Sequence, residues 1–437
     1  MGSFDGKHFA ILGAGRSGIG AARLARLHGA QATVFDEGDP AKIKTADFPS
    51  VLGEAARDAV VAAGQFDLAI LSPGLDANWP LPKKFADAGV PLTGELEFGF
   101  SLTSMPMVGI TGTNGKSTCT EIVAALFEGA GKRSVPCGNH GLALSELVAS
   151  GENYDVLSLE ISSFQLETIS TLRTHVSIWL NFAPDHLDRY PDMESYYRAK
   201  VRIFENQNSD DWAVVRAGED VGTIKAKRLT FSAEPNTDAD FTYRDGCFYH
   251  GAQKIGESAR MRLRGRHNME NILAAMAAGR AFGLEFDGMM KTLESYEPPR
   301  HRCELVRILD DREYINDSKA TNLHALESCL RSQDRPIVLI AGGKEKGLDY
   351  TPLSAALTGR VHAMVLIGEI APSLHQSFAS QLPCHIAKDM AEAVSLARAA
   401  SRPGDAIILS PGTSSFDMYT GYGQRGDVFC EAVRNLN

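Results

Sequence analysis

Three things are scarce in this chain of 437 residues, and each shortage removes a class of function. Positive charge comes first. Lysine and arginine total 44 against 54 aspartates and glutamates, a formal net charge of −10. Nucleic acid and anionic membranes both need a basic face, so neither is an expected partner. Anionic small molecules stay open, because a few local cations and backbone N–H groups suffice for them. Paired cysteines are also missing: Cys119, Cys137, Cys247, Cys303, Cys329, Cys384 and Cys430 stand singly, with no CxxC. An odd, unpatterned set fits reduced thiols and a cytoplasmic location. Long apolar runs are the third shortage, since none approaches the ~20 residues of a membrane span. The opening MGSFDGKHFAILGAG has no basic stretch followed by an apolar core and cleavage site. It reads as the first strand of a domain.

What is present is a soluble composition, 44% hydrophobic and 22% charged, at a length that suits about three domains. Strand-like runs over 9–12, 32–35 and 68–71 alternate with a helix over 18–28, a pattern that argues for a doubly wound parallel sheet. A second unit opens near Met105 with a run over 107–110, followed by buried strands over 156–159 and 176–180. From 212 to 264 short strand-like pieces and turn residues suggest a small β-rich addition. Pro298-Pro299 breaks the chain and marks a hinge, because proline continues neither a helix nor a central strand. Runs over 337–340, 363–367 and 406–409 then supply a third α/β unit.

Two glycine loops carry chemistry. Residues 109–118 read GITGTNGKST between a strand and a helix. Such a loop surrounds phosphate oxygens with free N–H groups and adds the positive end of the helix. Gly112, Thr113, Asn114, Gly115, Lys116, Ser117 and Thr118 are the candidate ATP contacts. Lys116 reaches the terminal phosphates and Ser117 offers a hydroxyl to magnesium. The general P-loop spacing wants glycine where Ile110 sits, and a plain turn before a helix is the rival reading. The other loop, GAGRSG at 13–18, is followed by Asp36 at the end of the next strand. Alone it suits a dinucleotide, a structural turn, or the diphosphate of a UDP-sugar.

Beyond these loops the chain carries LEISSFQLE (159–167), NFAPDHLDRY (181–190), YYRAKVRIFEN (196–206), GRHNMENILAA (265–275), HRCE (301–304), NDSKATN (316–322), GGKEKGLDY (342–350) and LSPGTSSFDMY (409–419). With GITGTNGKST these segments resemble the Mur ligase family, in its order and over almost the whole chain. NDSKATN and the serine-proline loop resemble its glutamate-adding branch. The resemblance implies an α/β fold in three domains. They are a Rossmann-like UDP-substrate domain (1–95), a P-loop ATPase-like central domain with the β-rich addition (96–299), and a Rossmann-like amino-acid domain (300–437). The sequence departs from the family at SPGTSSFD (410–417), His140 and Tyr422, all on substrate-facing loops.

The resemblance also implies a reaction. ATP phosphorylates the carboxylate of UDP-N-acetylmuramoyl-L-alanine, and glutamate attacks the acyl phosphate to form an amide. Glu160 suits a magnesium ligand by chemistry alone, since Mg²⁺ prefers hard oxygens. By resemblance His186 ligates a second ion, and Lys200 is carbamylated by CO₂ into an anion beside the metals, a change that needs its neutral amine. By composition alone Lys200 is a helix-surface lysine. Asn268, Asn271, Arg302, Asp317 and Lys319 match the family's nucleotide contacts. Arg16, Ser17, Asp36, Ser72, Asn139, Ser162 and Gln165 match its UDP-substrate contacts. Thr321, Lys346, Ser415 and Tyr422 match its amino-acid contacts. A monomer is expected, with the third domain closing over ATP about the 298–299 hinge. Three rivals compete: an NAD-dependent oxidoreductase built on GAGRSG, a related ligase with another amino acid such as L-glutamate or a folylpolyglutamate synthetase, and a non-catalytic nucleotide-binding regulator. The first leaves GITGTNGKST, NDSKATN and Lys200 unexplained, a folylpolyglutamate synthetase lacks a reason for a UDP-suited first domain, and the third predicts loss of Lys116, Glu160 or Lys200; L-glutamate in place of D-glutamate stays open.

Overall fold

Continuous apolar runs, rather than alternating ones, belong to strands covered on both faces, and such strands form three sheets here. The computed structural model describes residues 4–436 except 46, 185–188, 264, 298–299, 332, 334, 346–349 and 352. The first sheet holds β1 (His8–Leu12), β2 (Gln31–Asp36), β3 (Ser50–Leu52), β4 (Leu68–Leu71) and β5 (Leu92–Gly94), in the order β3-β2-β1-β4-β5. All its pairs are parallel. Ala10, Ile11 and Leu12 of β1 are wholly buried at its centre. The helix Arg16–Leu27 packs so closely on the turn before it that a Cβ at Gly18 would stand 1.9 Å from the Gly13 carbonyl oxygen. That explains the last glycine of GAGRSG without any ligand.

The central sheet contains β6 (Met107–Thr111), β7 (Ser134–Gly138), β8 (Val156–Glu160), β9 (Val176–Trp179), β10 (Trp212–Arg216), β11 (Lys227–Ser232), β12 (Phe241–Arg244), β13 (Cys247–His250) and β14 (Gln253–Glu257). Its order is β14-β13-β12-β11-β10-β9-β6-β8-β7. The β-rich stretch is therefore laid onto the edge of this sheet: β10, β11 and β12 continue it in parallel, and β13 and β14 return antiparallel. Leu157, Leu159, Trp179, Ala213 and Val215 from neighbouring strands share one core. Truncating Leu157 or Leu159 to alanine costs about 2–5 kcal/mol.

The third sheet has β15 (Glu304–Leu309), β16 (Arg312–Asn316), β17 (Ile337–Gly342), β18 (Val361–Ile367), β19 (Cys384–Ala387) and β20 (Ala406–Leu409), ordered β15-β16-β20-β17-β18-β19. Among the described residues only its β15–β16 hairpin is antiparallel. The chain divides into two compact units, Met1–Met261 with Asn268–Tyr296, and Arg262–His267 with Glu297–Asn437. The first unit contains two of the three sheets. Pro298-Pro299 lies outside the described residues. Among the described residues no helix is long and apolar enough to cross a membrane.

Candidate active site

The loop after β6 is held from outside itself. Asn181 accepts from the Asn114 N–H at 2.8 Å and donates back to the Asn114 carbonyl at 3.1 Å, while its own carbonyl accepts from Thr113 N–H at 2.9 Å. Thr113 Oγ1 donates to the Ala183 carbonyl at 3.2 Å and stands 3.3 Å from the Tyr196 hydroxyl. Gly115 sits in the left-handed region, φ +84°, at the N-cap of the helix Lys116–Gly129. A Cβ there would lie 2.4 Å from Asn271 Oδ1, so the loop admits only glycine. Asn271 in turn donates weakly to Asn268 at 3.5 Å. Two of the expected nucleotide residues on the helix Arg266–Ala281 therefore abut the loop. Lys116 Nζ donates to the Gly112 and Thr113 carbonyls, each at 2.9 Å, and Ser117 and Thr118 follow in the first helical turn.

Register brings the acidic and basic partners to the same loop. β8 pairs with β6 so that Glu160 lies opposite Ile110. The Glu160 side chain is 2% exposed; Oε1 accepts from Asn139 Nδ2 at 2.7 Å and Oε2 is buried without a protein partner. An uncompensated carboxylate oxygen is expensive to bury, and a cation answers it. Lys200, 1% exposed on the helix Met193–Val201, donates to the Gly112 carbonyl at 2.8 Å and lies 4.9 Å over the Tyr196 ring. The surface-lysine alternative is thus excluded by its burial. Ser117 carries a hydroxyl and Glu160 a carboxylate, the hard oxygen type that Mg²⁺ prefers. His186 lies outside the described residues.

On the UDP side several expected residues already hold partners within the protein. The two Asp36 oxygens accept from Ala14 N–H at 2.7 Å and Gly38 N–H at 2.8 Å, which locks the GAGRSG turn to the end of β2. Arg16 pairs with Glu146 at 2.8 Å, and Ser17 follows it in the same helix. Ser162 and Gln165 form a capping box on the helix Ser163–Leu166. Ser72 and Gln165 line one small cleft with Glu95, Phe164 and Thr168, so the first and central sheets share a cavity wall. Glu95 was not legible as a site residue. It is buried, with Oε1 accepting from Ser145 N–H at 2.7 Å and Oε2 without a protein partner, and burial pushes its carboxyl up to about 6.

The second unit gathers its own set. His301 and Cys303 both hold left-handed backbone, φ +66° and +44°, on either side of Arg302. Such conformations cost about 1–3 kcal/mol each and collect at functional loops. Asp317 follows β16; Oδ2 accepts from Ser410 Oγ at 2.8 Å and Oδ1 from Cys303 N–H at 3.2 Å. Burial pushes its carboxyl up to about 6, against those hydrogen bonds and the Arg302 charge. Lys319 Nζ lies 5.7 Å over the Tyr422 ring, and Ser318 Oγ donates to the Tyr422 carbonyl at 2.8 Å. Ser415 is buried in the loop after β20, and Thr321 is half-buried beyond NDSKATN's lysine. Lys346 lies outside the described residues. Arg425, missed in the sequence, is wholly buried; it donates to Ser318 Oγ at 3.0 Å and the Ser318 carbonyl at 2.9 Å, and to the Thr413 carbonyl at 3.1 Å. It thereby fastens NDSKATN to the serine-proline loop. Desolvation lowers its pKa to about 10, still a cation at neutral pH. No motif spacing marks it, since its partners lie far off in sequence.

Comparison with known proteins adds a second line. Residues 110–279 match the Mur ligase middle domain and 301–412 match the Mur ligase glutamate ligase domain. The UDP-N-acetylmuramoylalanine–D-glutamate ligase of Trichlorobacter lovleyi is 38% identical over 98% of this chain and 99% of its own. The same-named ligase of Desulfosudis oleivorans is 36% identical over 99% of this chain and 97% of its own. Among solved structures, the UDP-N-acetylmuramate-alanine ligase of Thermotoga maritima superposes with a TM-score of 0.58 at 17% identity, covering 98% of this chain and 99% of its own. At that identity the likeness speaks for the fold alone.

Proposed function

The chain belongs to the Mur ligase family, and on that premise we propose that it ligates D-glutamate to UDP-N-acetylmuramoyl-L-alanine with ATP. The terminal carboxylate of the muramoyl-alanine attacks the γ-phosphorus, ADP leaves, and the acyl phosphate is attacked by the glutamate amine. Phosphate departs as the amide forms. Phosphoryl transfer of this kind rests on positioning and charge neutralisation. The observation that carries the reading is the convergence on Gly112 of Lys116 and Lys200, with the lone Glu160 oxygen one strand away.

Mg²⁺ bound by Ser117 and Glu160 would neutralise the phosphate charge. The chain's own residues do the rest. Lys116 leaves its two loop carbonyls for the terminal phosphates, and the other N–H groups of the loop, which Asn181 holds in place, donate to the remaining phosphate oxygens. Carbamylation of Lys200 by CO₂, with loss of the ammonium's protons, would turn a buried cation into an anionic oxygen ligand for a second ion shared with His186; the burial of Lys200 beside the loop supports that role. Asn268, Asn271, Arg302, Asp317 and Lys319 serve the nucleotide. Arg16, Ser17, Asp36, Ser72, Asn139, Ser162 and Gln165 serve the UDP-substrate, and Thr321, Lys346, Ser415 and Tyr422 the amino acid. The three domain spans 1–95, 96–299 and 300–437 stand as part of this proposal. Its test is phosphate release from ATP with Mg²⁺ and UDP-N-acetylmuramoyl-L-alanine. Release should depend on D-glutamate and not on L-glutamate, and release indifferent to both would sink it.

A further inference from the structure

Three donors that the ligase reaction leaves unused as a set meet in the second unit. Cys303 Sγ and Cys329 Sγ lie 3.6 Å apart, and with an Asp317 carboxylate oxygen they all fall within 4.8 Å of one another. Sulfurs bound at ~2.3 Å to a tetrahedral zinc ion stand about 3.8 Å apart, close to the separation here and far from the ~2.05 Å of a disulfide. Cys329 and Asp317 are buried while Cys303 keeps a minor part of its surface exposed, which provides a route of entry. We propose that Cys303, Cys329 and Asp317 form a binding site for a borderline-soft divalent cation of the Zn²⁺ class, taken up as the two thiols release their protons. No electron moves, and water completes the fourth position, as at other three-ligand zinc sites. Two sulfur donors select against Mg²⁺, so the ion that ATP requires does not compete. Because the ion holds the Asp317 carboxylate, its uptake inhibits the ligase; this last clause rests on the nucleotide role given to Asp317 above.

The probe is Co²⁺ added to the metal-free, reduced full chain, read as thiolate-to-metal charge-transfer absorbance and proton release, with Zn²⁺ as competitor. A band that Zn²⁺ erases, with two protons released per ion, is expected. Cys303→Ser and Cys329→Ser should each weaken binding by more than the roughly 10–100-fold that loss of an outer-shell partner costs. Cys247→Ser should leave it unchanged. A wild-type chain with free thiols and no band, or a band of equal strength in both serine variants, would overturn the proposal. So would loss of both thiols to a disulfide in the absence of metal. If a serine variant fails to fold by thermal melting, maleimide labelling of the wild type decides instead. Zn²⁺ should then protect Cys303 and Cys329, and unchanged labelling overturns the site. Thiolate-bound Co²⁺ with undiminished phosphate release keeps the site and removes Asp317 from the nucleotide.

Discussion

Single side chains carry the sharpest consequences. Lys200→Ala should cut ligation by at least about 100-fold, the scale of losing one preorganised charge partner. A short-chain carboxylic acid should restore part of it in steady-state assays, and full activity of the unrescued variant would exclude a carbamate. Glu95 offers a prediction in pH. Its folded pKa of about 6 stands above the ordinary 4.5, so the folded chain binds more protons in between. Stability is therefore highest below about pH 4.5 as far as this group is concerned and is lost as pH rises through 6, by about 2 kcal/mol. Glu95→Gln keeps an oxygen for Ser145 N–H and cannot ionise. Urea titrations at pH 4.5 and 7.5 should find the variant gaining on the wild type at the higher pH by about that amount.

Elements decide whether those side chains meet. The strand–loop–helix over 107–129 works because Gly115 takes a left-handed conformation against Asn271. Gly115→Ala imposes about 1–2 kcal/mol of backbone strain and a clash with a buried amide. We expect the KM for ATP to rise at least about tenfold with a modest fall in melting temperature; an unchanged KM would contradict the loop's rigidity. In contrast, the capping box at 162–165 has its hydrogen bonds already made within the helix turn. Ser162→Ala should cost about 0.5–2 kcal/mol of stability by denaturant titration, separately from any loss of affinity for the UDP-substrate.

At the scale of the molecule, two compact units make a single two-state transition an unsafe description of unfolding. A non-hydrolysable ATP analogue with Mg²⁺ at 100 times its Kd should stabilise the unit holding residues 109–118 by about 2.7 kcal/mol. Hydrogen exchange would register this as protection of that loop, and no protection would remove it from the ATP site. Much of this architecture was legible beforehand: strands over 9–12, 107–110, 156–159, 337–340 and 406–409 fall where the apolar runs lie, and GITGTNGKST sits between a strand and a helix. Sequence alone determined those features because strand burial, glycine geometry and helix entry depend on neighbours along the chain. It also carried the family, through motifs in a fixed order. Only tertiary structure decided that Asn181 clamps the loop, that Glu160 keeps an unpaired oxygen, that Arg425 ties two distant loops, and that Cys303 faces Cys329. These contacts join residues many positions apart, and strand register and packing, which no local pattern encodes, choose the partners.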